Sequence, residues 1–535
     1  IYLNSDFHYE KAVIAPDANK ANSVFDGRAF TGSFDGNQHT ISNLTIDTQL
    51  VSNDYLALFG LIETSARIEN LAMRTCTVRE SKIIMYSPQT DADRVGSLCG
   101  FNKGIIRDCS STGSVIIADN CVGALCGKND GTIEAAHTTG RVNGGGATGG
   151  LLGINNGTVT DSSGVTILSG SQIIGGLSGS NDGLIRSSYA AGRILYAGDY
   201  TGGLCGENRN GGIISDSYAT NSVKGNQNVG GLCGSNSGLI TRCHATGHVT
   251  GRDYGYDPSR TGGLCGYNGQ DGKITDSYAT GPVDGNTTVG GLTGSNQGTI
   301  SDSYANSTVE GNNYVGGLSG SSGGIIRTCS ATGNVTGNDY IGGLCGSVHA
   351  ATVKNSGATG DVTGSSYVAG LISQTQDECK IENCYAAGSV NGSWGVGGLV
   401  AENSDQTTYT SCFWDTLTTG LNHSHGGQGK TTEQMKDPNT FTEADWPFAE
   451  FQTGLRGWYI PEDSYPLHYW QNQHAARVPD INDMTAAQAH SALTDSGLIP
   501  GDIIEVNSLT VPAGKVAALT ASIGGYVDKS LPLDI

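Results

Sequence analysis

The sequence predicts a mainly β protein: a β-solenoid (β-helix) of about 12–13 coils, followed by a small C-terminal α+β domain. Three observations carry this. A glycine-rich unit recurs at near-constant spacing, the unit consists of short β-branched segments separated by Gly, Asn and Asp, and no single unit holds enough apolar residues to bury a core alone.

The period is clearest when the chain is aligned on the leucine of Gly-Gly-Leu-Cys-Gly. That leucine recurs from Leu98 and Leu125 through Leu232 and Leu264 to Leu399, mostly at intervals of 26 to 28 residues, with Ala57-Leu58-Phe59-Gly60 as a degenerate earlier copy. Each unit reads as an apolar Val-Gly-Gly-Leu-Cys-Gly segment, an Asn/Gly turn, a segment around Gly-x-Ile, and a segment of the form Ser-Tyr-Ala-Thr-Gly-x-Val. Such short punctuated segments are strands joined by tight turns. Their alternate apolar residues gain partners only when coils stack, so each strand should pair with its counterpart in the next repeat. At about 4.8 Å per coil, the stack would be a rod of order 60 Å. Glycine is expected at the corners, both for positive φ and for close backbone approach. A propeller needs about 40 residues and four strands per blade, which these units do not supply.

Composition narrows the function. With 82 glycines and 15% charged residues, the 535-residue chain departs from an ordinary globular enzyme. Its net charge of −21 repels nucleic-acid backbones and suits an extracellular surface. No cofactor is expected; calcium is the one ion an acidic surface of this kind would recruit. No apolar run is long enough for a membrane span. The chain opens at Ile1-Tyr2-Leu3-Asn4 without Met, which predicts a processed product or a stretch of a longer precursor, so an extracellular or cell-surface location is inferred and not read from a signal.

The recurring Gly-Gly-Leu-x-Gly, Gly-x-Ile and Ser-Tyr-Ala-Thr-Gly segments, from about Val95 to Asp415, resemble the GLUG repeat of bacterial surface proteins and large secreted proteases. That resemblance implies an accessory, non-catalytic region. Ala15-Pro16-Asp17 with Phe30 to Ile41 looks like the lead-in before such arrays, and Cys412-Phe413-Trp414-Asp415 with Gly429 to Met435 looks like their closing tail. From Val478 to Ile535 the chain resembles a single PASTA domain, with an amphipathic helix around Ala486, Ala489 and Leu493. The expected organisation is therefore lead-in or cap strands over 1–54, a GLUG-repeat solenoid over 55–416, an aromatic-rich cap over 417–477 and a PASTA-like domain over 478–535.

Candidate chemistry must be weighed against the repeat itself. Cys99, Cys126, Cys205, Cys233, Cys265 and Cys345 share one position with Leu152, Ser178, Thr293 and Ser319, which reads as a small packed side chain, with stacked disulfides as the alternative. Tyr189, Tyr218, Tyr278, Tyr304 and Tyr385 form an aromatic ladder, with His137 and His244 substituting; it either supports itself or grips sugar rings. Asp216, Asp276 and Asp302 repeat at one turn, which argues for turn chemistry and not for a unique active site. Gly426-Gly427-Gln428-Gly429-Lys430-Thr431 echoes a phosphate loop but has Ser424 where its first glycine belongs. His244 with His248, and His423 with His425, lack the partners of a zinc site. The insertion holding Asp253, Tyr254, Tyr256 and Asp257 is the candidate partner contact, because insertions in solenoids often carry contacts.

The expected function is an extracellular structural or adhesive solenoid, not an enzyme, that associates with itself head-to-tail into filaments or matrix, or with cell-wall or matrix glycans. The alternative is a β-helix that binds or cleaves carbohydrate.

Overall fold

The computed structural model describes residues 9–18, 24–48, 54–80, 93–196, 198–252, 259–448, 457–461, 463–471, 475–482, 484–504, 515–516, 526–528 and 532–533. Among these, the strands form three long parallel sheets of 12, 13 and 36 strands. The protein is a β-solenoid, as the repeat predicts.

One coil gives the path. Asn228–Gly230 lies in the first sheet and Cys233–Asn236 in the second, while Leu239–Thr241, His244–Ala245 and Val249–Gly251 lie in the third. Pairing is parallel and in register, with Cys233 opposite Cys205 on one side and Cys265 on the other. Leu232, Ile240, Ala245 and Val249 point inward and are fully buried, so like residues stack on like down the axis.

The corners depart from expectation. None of the Gly-Gly-Leu glycines takes a positive φ; the corner needs them for close approach. A Cβ on Gly230 would stand 1.9 Å from Cys233 O, and one on Gly231 would stand 2.0 Å from Gly263 O and 2.9 Å from the Ala245 methyl. Gly291 faces Ala305 and Gly343 faces Ala358 in the same way. The coil is thin here, and this is why Gly-Gly-Leu and Tyr-Ala recur together.

Positive φ belongs to another corner, between strands like Leu239–Thr241 and His244–Ala245. Asp216, Arg242, Asp276 and Asp302 adopt φ of 52°, 53°, 49° and 50° there, and Ala135, Thr328 and Asn355 take the same turn in other coils. Aspartate is favoured at such a bend because short polar side chains tolerate the left-handed region.

The asparagine of each Asn/Gly turn is internal. From Asn102 to Asn296 these amides form a buried ladder; Asn208 Nδ2 donates to Asn236 Oδ1 at 2.8 Å and to Gly212 O at 3.2 Å, and Asn208 Oδ1 accepts from Asn181 at 2.8 Å. Each amide therefore satisfies a backbone carbonyl at the bend and joins one coil to the next.

At the N-terminal end, Ser33–Ser42 and Thr45–Asp47 already pair with Arg67–Arg74 and Thr77–Arg79 of the third sheet. At the other end the chain turns back over the last coil. His423 O accepts from Gly398 N, Ser424 Oγ accepts from Val400 N at 2.8 Å, and Gln428–Lys430 pairs with Phe413–Asp415. The last strand of the second sheet and the Phe413–Asp415 strand of the third are thus covered at this end. The phosphate-loop-like stretch is part of this closing segment.

Short helices follow. Thr432–Lys436 starts on a capping box of Thr431 with Gln434, and Pro438–Thr442 starts on Asp437. Met435, Phe441, Trp446 and Trp458 pack with Tyr385 and Phe413 to form the cap's own core. Within the terminal segment, Ala486–Asp495 is helical behind a Thr485–Gln488 capping box and buries Ala489 and Leu493.

Candidate functional site

The tyrosine series lies on the outer side of the third sheet. Tyr189, Tyr218, His244, Tyr278 and Tyr304 stack with ring centroids 4.9–5.1 Å apart and planes within 11° of parallel. That spacing is the strand separation itself, so register alone brings the rings together. Stacked rings cover each other's faces and present only edges to solvent.

Tyr385 does not continue this row. The two intervening register positions hold Ser330 and Gly357, and the cap fills the space above them. Trp470 stacks on Tyr304 at 5.4 Å, His468 stacks on Trp470, and Trp458 stacks on His468 at 4.0 Å. Gln471 Nε2 donates to Ser330 Oγ at 2.9 Å and His468 Nε2 to Cys329 O at 3.3 Å. Burial pushes His468 down to about 3, so it sits in the stack as a neutral ring. Tyr385 is buried beside Trp458, its hydroxyl donating to Pro466 O at 2.7 Å. The cap thus straps back over the coils and supplies the rings that two repeats lack. Distance in sequence, about 140 residues between Trp470 and Ser330, hides this from any repeat alignment.

All fourteen cysteines are buried. Burial pushes Cys109 up to about 11 and Cys243 and Cys329 to about 12, and it raises Cys99, Cys205 and Cys265 as well. Thiols packed into an interior that a reagent cannot reach are inert. We expect Ellman's reagent to leave the native protein unmodified and to titrate all fourteen thiols in denaturant; a lower denatured count would reveal disulfides.

His244 belongs to the aromatic stack, and His248 Nε2 lies 2.6 Å from Asp284 on the surface. Asp253, Tyr254, Tyr256 and Asp257 lie outside the described residues. Their flanks remain in register, with Val249–Gly251 and Arg260–Gly262 each paired to the preceding coil, so the insertion leaves between the third and first sheets.

Two features were not legible as sites. Near the start of the solenoid, Asp54, Asp93, Glu80 and Asp17 are all buried. Burial, then the charge of Asp93, pushes Asp54 up to about 7; burial also raises Asp93, although Asn120 Nδ2 donates to it at 2.8 Å. Asp54 therefore keeps its proton when folded at pH values where an unfolded aspartate has lost it. Stability of this end should fall as pH rises from about 4 toward 7 and level off above. Asp54→Asn should flatten that slope in hydrogen-exchange measurements between pH 5 and 8; an unchanged slope would assign the dependence elsewhere.

The second is a row of aromatic rings at the outer corner between the first and second sheets. Tyr314, Tyr340 and Tyr367 stack at 4.9 and 4.8 Å, and Trp394 meets Tyr367 edge-on at 4.6 Å and 76°. Their spacing of 26 or 27 residues was the available signal: Tyr314 and Tyr340 precede Val/Ile-Gly-Gly, Tyr367 precedes Val-Ala-Gly, and Trp394 stands one residue further back, opposite Ser366.

Among the described residues, no helix is long and apolar enough to cross a membrane and no cluster of three His, Cys, Asp or Glu is placed to hold a metal. The protein is built of stacked coils, and four segments of it match the GLUG motif, at residues 197–224, 225–250, 257–284 and 337–363. Over 95 residues, 18% of this chain and 1% of the relative, it is 37% identical to halomucin of Haloquadratum walsbyi (strain DSM 16790 / HBSQ001). No solved structure matches.

Proposed function

We propose that this chain is the rigid rod of a secreted or cell-surface protein, a structural stalk and not a catalyst. The observation that carries this reading is the use of the repeat: the recurring Cys, Asn and Tyr each face a counterpart one coil away, as a self-supporting rod requires. GLUG motifs and the likeness to a protein named as a mucin support a surface role. The closing segment, which bonds Val400 and pairs with Phe413–Asp415, favours a stalk over a filament built by edge-to-edge pairing at those strands. On this reading the PASTA-like segment is a spacer or wall contact at the rod's end.

Shaving intact source cells with a protease tests the location, and negative-stain images test the form. Release of the chain and isolated rods of about 60 Å are expected; retention inside the cell or compact particles would overturn the reading.

A further inference from the structure

We infer that the outer corner between the first and second sheets, over the last four coils, is a binding groove for a neutral glycan chain. The inference deepens the surface-rod reading and rests on it for its biological setting.

Four observations carry it. The first is the row itself, which the coil does not need. The inward side of the same strands, Val315, Ile341 and Val368, already forms the core ladder, so Tyr314, Tyr340, Tyr367 and Trp394 add nothing to core burial.

The second is backbone strain. Tyr314, Tyr340 and Tyr367 adopt φ of 54°, 61° and 52°, a left-handed conformation that bulky residues rarely accept. Thr288 one coil earlier and Gly395 one coil later share the bend, with φ of 54° and 62°, so the coil sets the conformation, and the three tyrosines hold bulky rings at a position that a small residue also fills.

The third is the shape of the corner. In earlier coils it is filled: Cys121, Ala147 and Ile154 pack together, and the Arg260 guanidinium lies 5.0 Å over the Tyr267 ring. In the last coils the second-sheet positions that follow Tyr267 in register are small or polar, Ser321 and Ser347 and then Gln374 and Glu402. The tyrosines therefore wall a corner whose second-sheet side carries small serines and then two polar side chains, Gln374 and Glu402.

The fourth is the chemistry of the far end. Trp394 is 61% exposed. It meets the end of the stack at 76° instead of in parallel, so its indole is not sandwiched between two rings as Tyr340 is. Gln374 Nε2 donates to Glu402 Oε2 at 2.6 Å and Gln376 Nε2 to Gln374 Oε1 at 2.6 Å, which pre-orients planar polar groups.

An exposed indole beside oriented amide and carboxylate groups matches a pyranose, which offers an apolar C–H face and a rim of hydroxyls. The tyrosine edges, repeated at 4.8–4.9 Å from coil to coil, line the path that an extended chain would follow away from Trp394. The charges that bear on Tyr340 and Tyr367 come from Glu402 and Asp339, both acidic, so acidic glycans are repelled.

The test is calorimetric titration of the purified full chain with cellohexaose, xylohexaose, chitohexaose and mannohexaose, with oligogalacturonate as the acidic comparator. Binding of at least one neutral probe is expected, weakened about tenfold or more by Trp394→Ala with an unchanged circular dichroism spectrum. Should that variant misfold, Gln374→Ala carries the same criterion. Failure of every neutral probe, a smaller loss in the variant, or tighter binding of oligogalacturonate overturns the groove. The assay is blind to where the chain resides, so it fails independently of the surface-rod reading.

Discussion

Gly231→Ala should open the middle of the solenoid. The added methyl would lie 2.0 Å from the carbonyl oxygen of Gly263 in the next coil and 2.9 Å from the Ala245 methyl across the core. Neither neighbour is the end of a flexible side chain, so relief requires moving one coil's backbone from the next. That breaks the Leu232–Leu264 hydrogen bond of 2.8 Å and the parallel pairs beside it. We expect a cost of about 4 kcal/mol or more, concentrated in the two coils concerned because repeats contact only their neighbours. Hydrogen exchange should quicken around 225–266 by about a thousandfold, with the distal coils unchanged. Gly269→Ala is the control: its nearest neighbour is Ser237 Oγ at 3.2 Å, a movable atom, and the change should cost within about 1 kcal/mol. Equal effects at both positions would contradict the close-approach explanation.

The same glycine shows how far the sequence could be read. Period, segment length and the recurrence of Gly-Gly-Leu were sufficient to predict stacked parallel coils, because one short unit has no other way to bury Leu232 and Ile240. They did not reveal what each glycine does. Positive φ and close approach leave the same letter in a sequence, and only the position of Ala245 across the coil distinguishes them. The φ-positive corner went to Asp216, Arg242 and Asp276, where a recurring aspartate could be recognised but an arginine in the same turn could not.

Candidate sites divide along a similar line. Tyr189 to Tyr304 recur at one position, and register turns that recurrence into a stack. Tyr385 recurs at the same position and yet belongs to the cap, because Ser330 and Gly357 interrupt the row and a segment remote in sequence inserts Trp470 and His468. Contacts of that range have no local signature. The Tyr314 to Trp394 row had a signature, an aromatic spaced 26 or 27 residues from the next. Its use depends on which neighbours at the corner are large and which are small, and that is decided by the pairing of two different sheets.

Asn208→Leu should be the second severe change, for a different reason. Asn208 is fully buried, and its amide donates to Asn236 Oδ1 and to Gly212 O while accepting from Asn181. Leucine removes these bonds and a long one to Leu239 O at 3.5 Å, and leaves each neighbour with less than it had. Asn236 Oδ1 keeps only a long bond from Gly238 N at 3.2 Å, and Asn181 Nδ2 keeps carbonyl partners at 3.2 and 3.4 Å. Gly212 and Gly238 also press against the Asn208 amide, so a branched side chain has no room to turn. Losing buried partners at about 1–3 kcal/mol per group, together with this crowding, predicts a cost of about 3–5 kcal/mol. Asn296→Ser should be far milder, about 1 kcal/mol, because Asn296 already hands the ladder to Ser322 Oγ at 3.0 Å and a serine there can accept from Asn268 and donate onward. Thermal unfolding of the two variants side by side separates the explanations: a ladder whose members act through hydrogen bonding ranks Asn208→Leu well below Asn296→Ser, whereas asparagines serving only as turn formers would give the two changes similar costs.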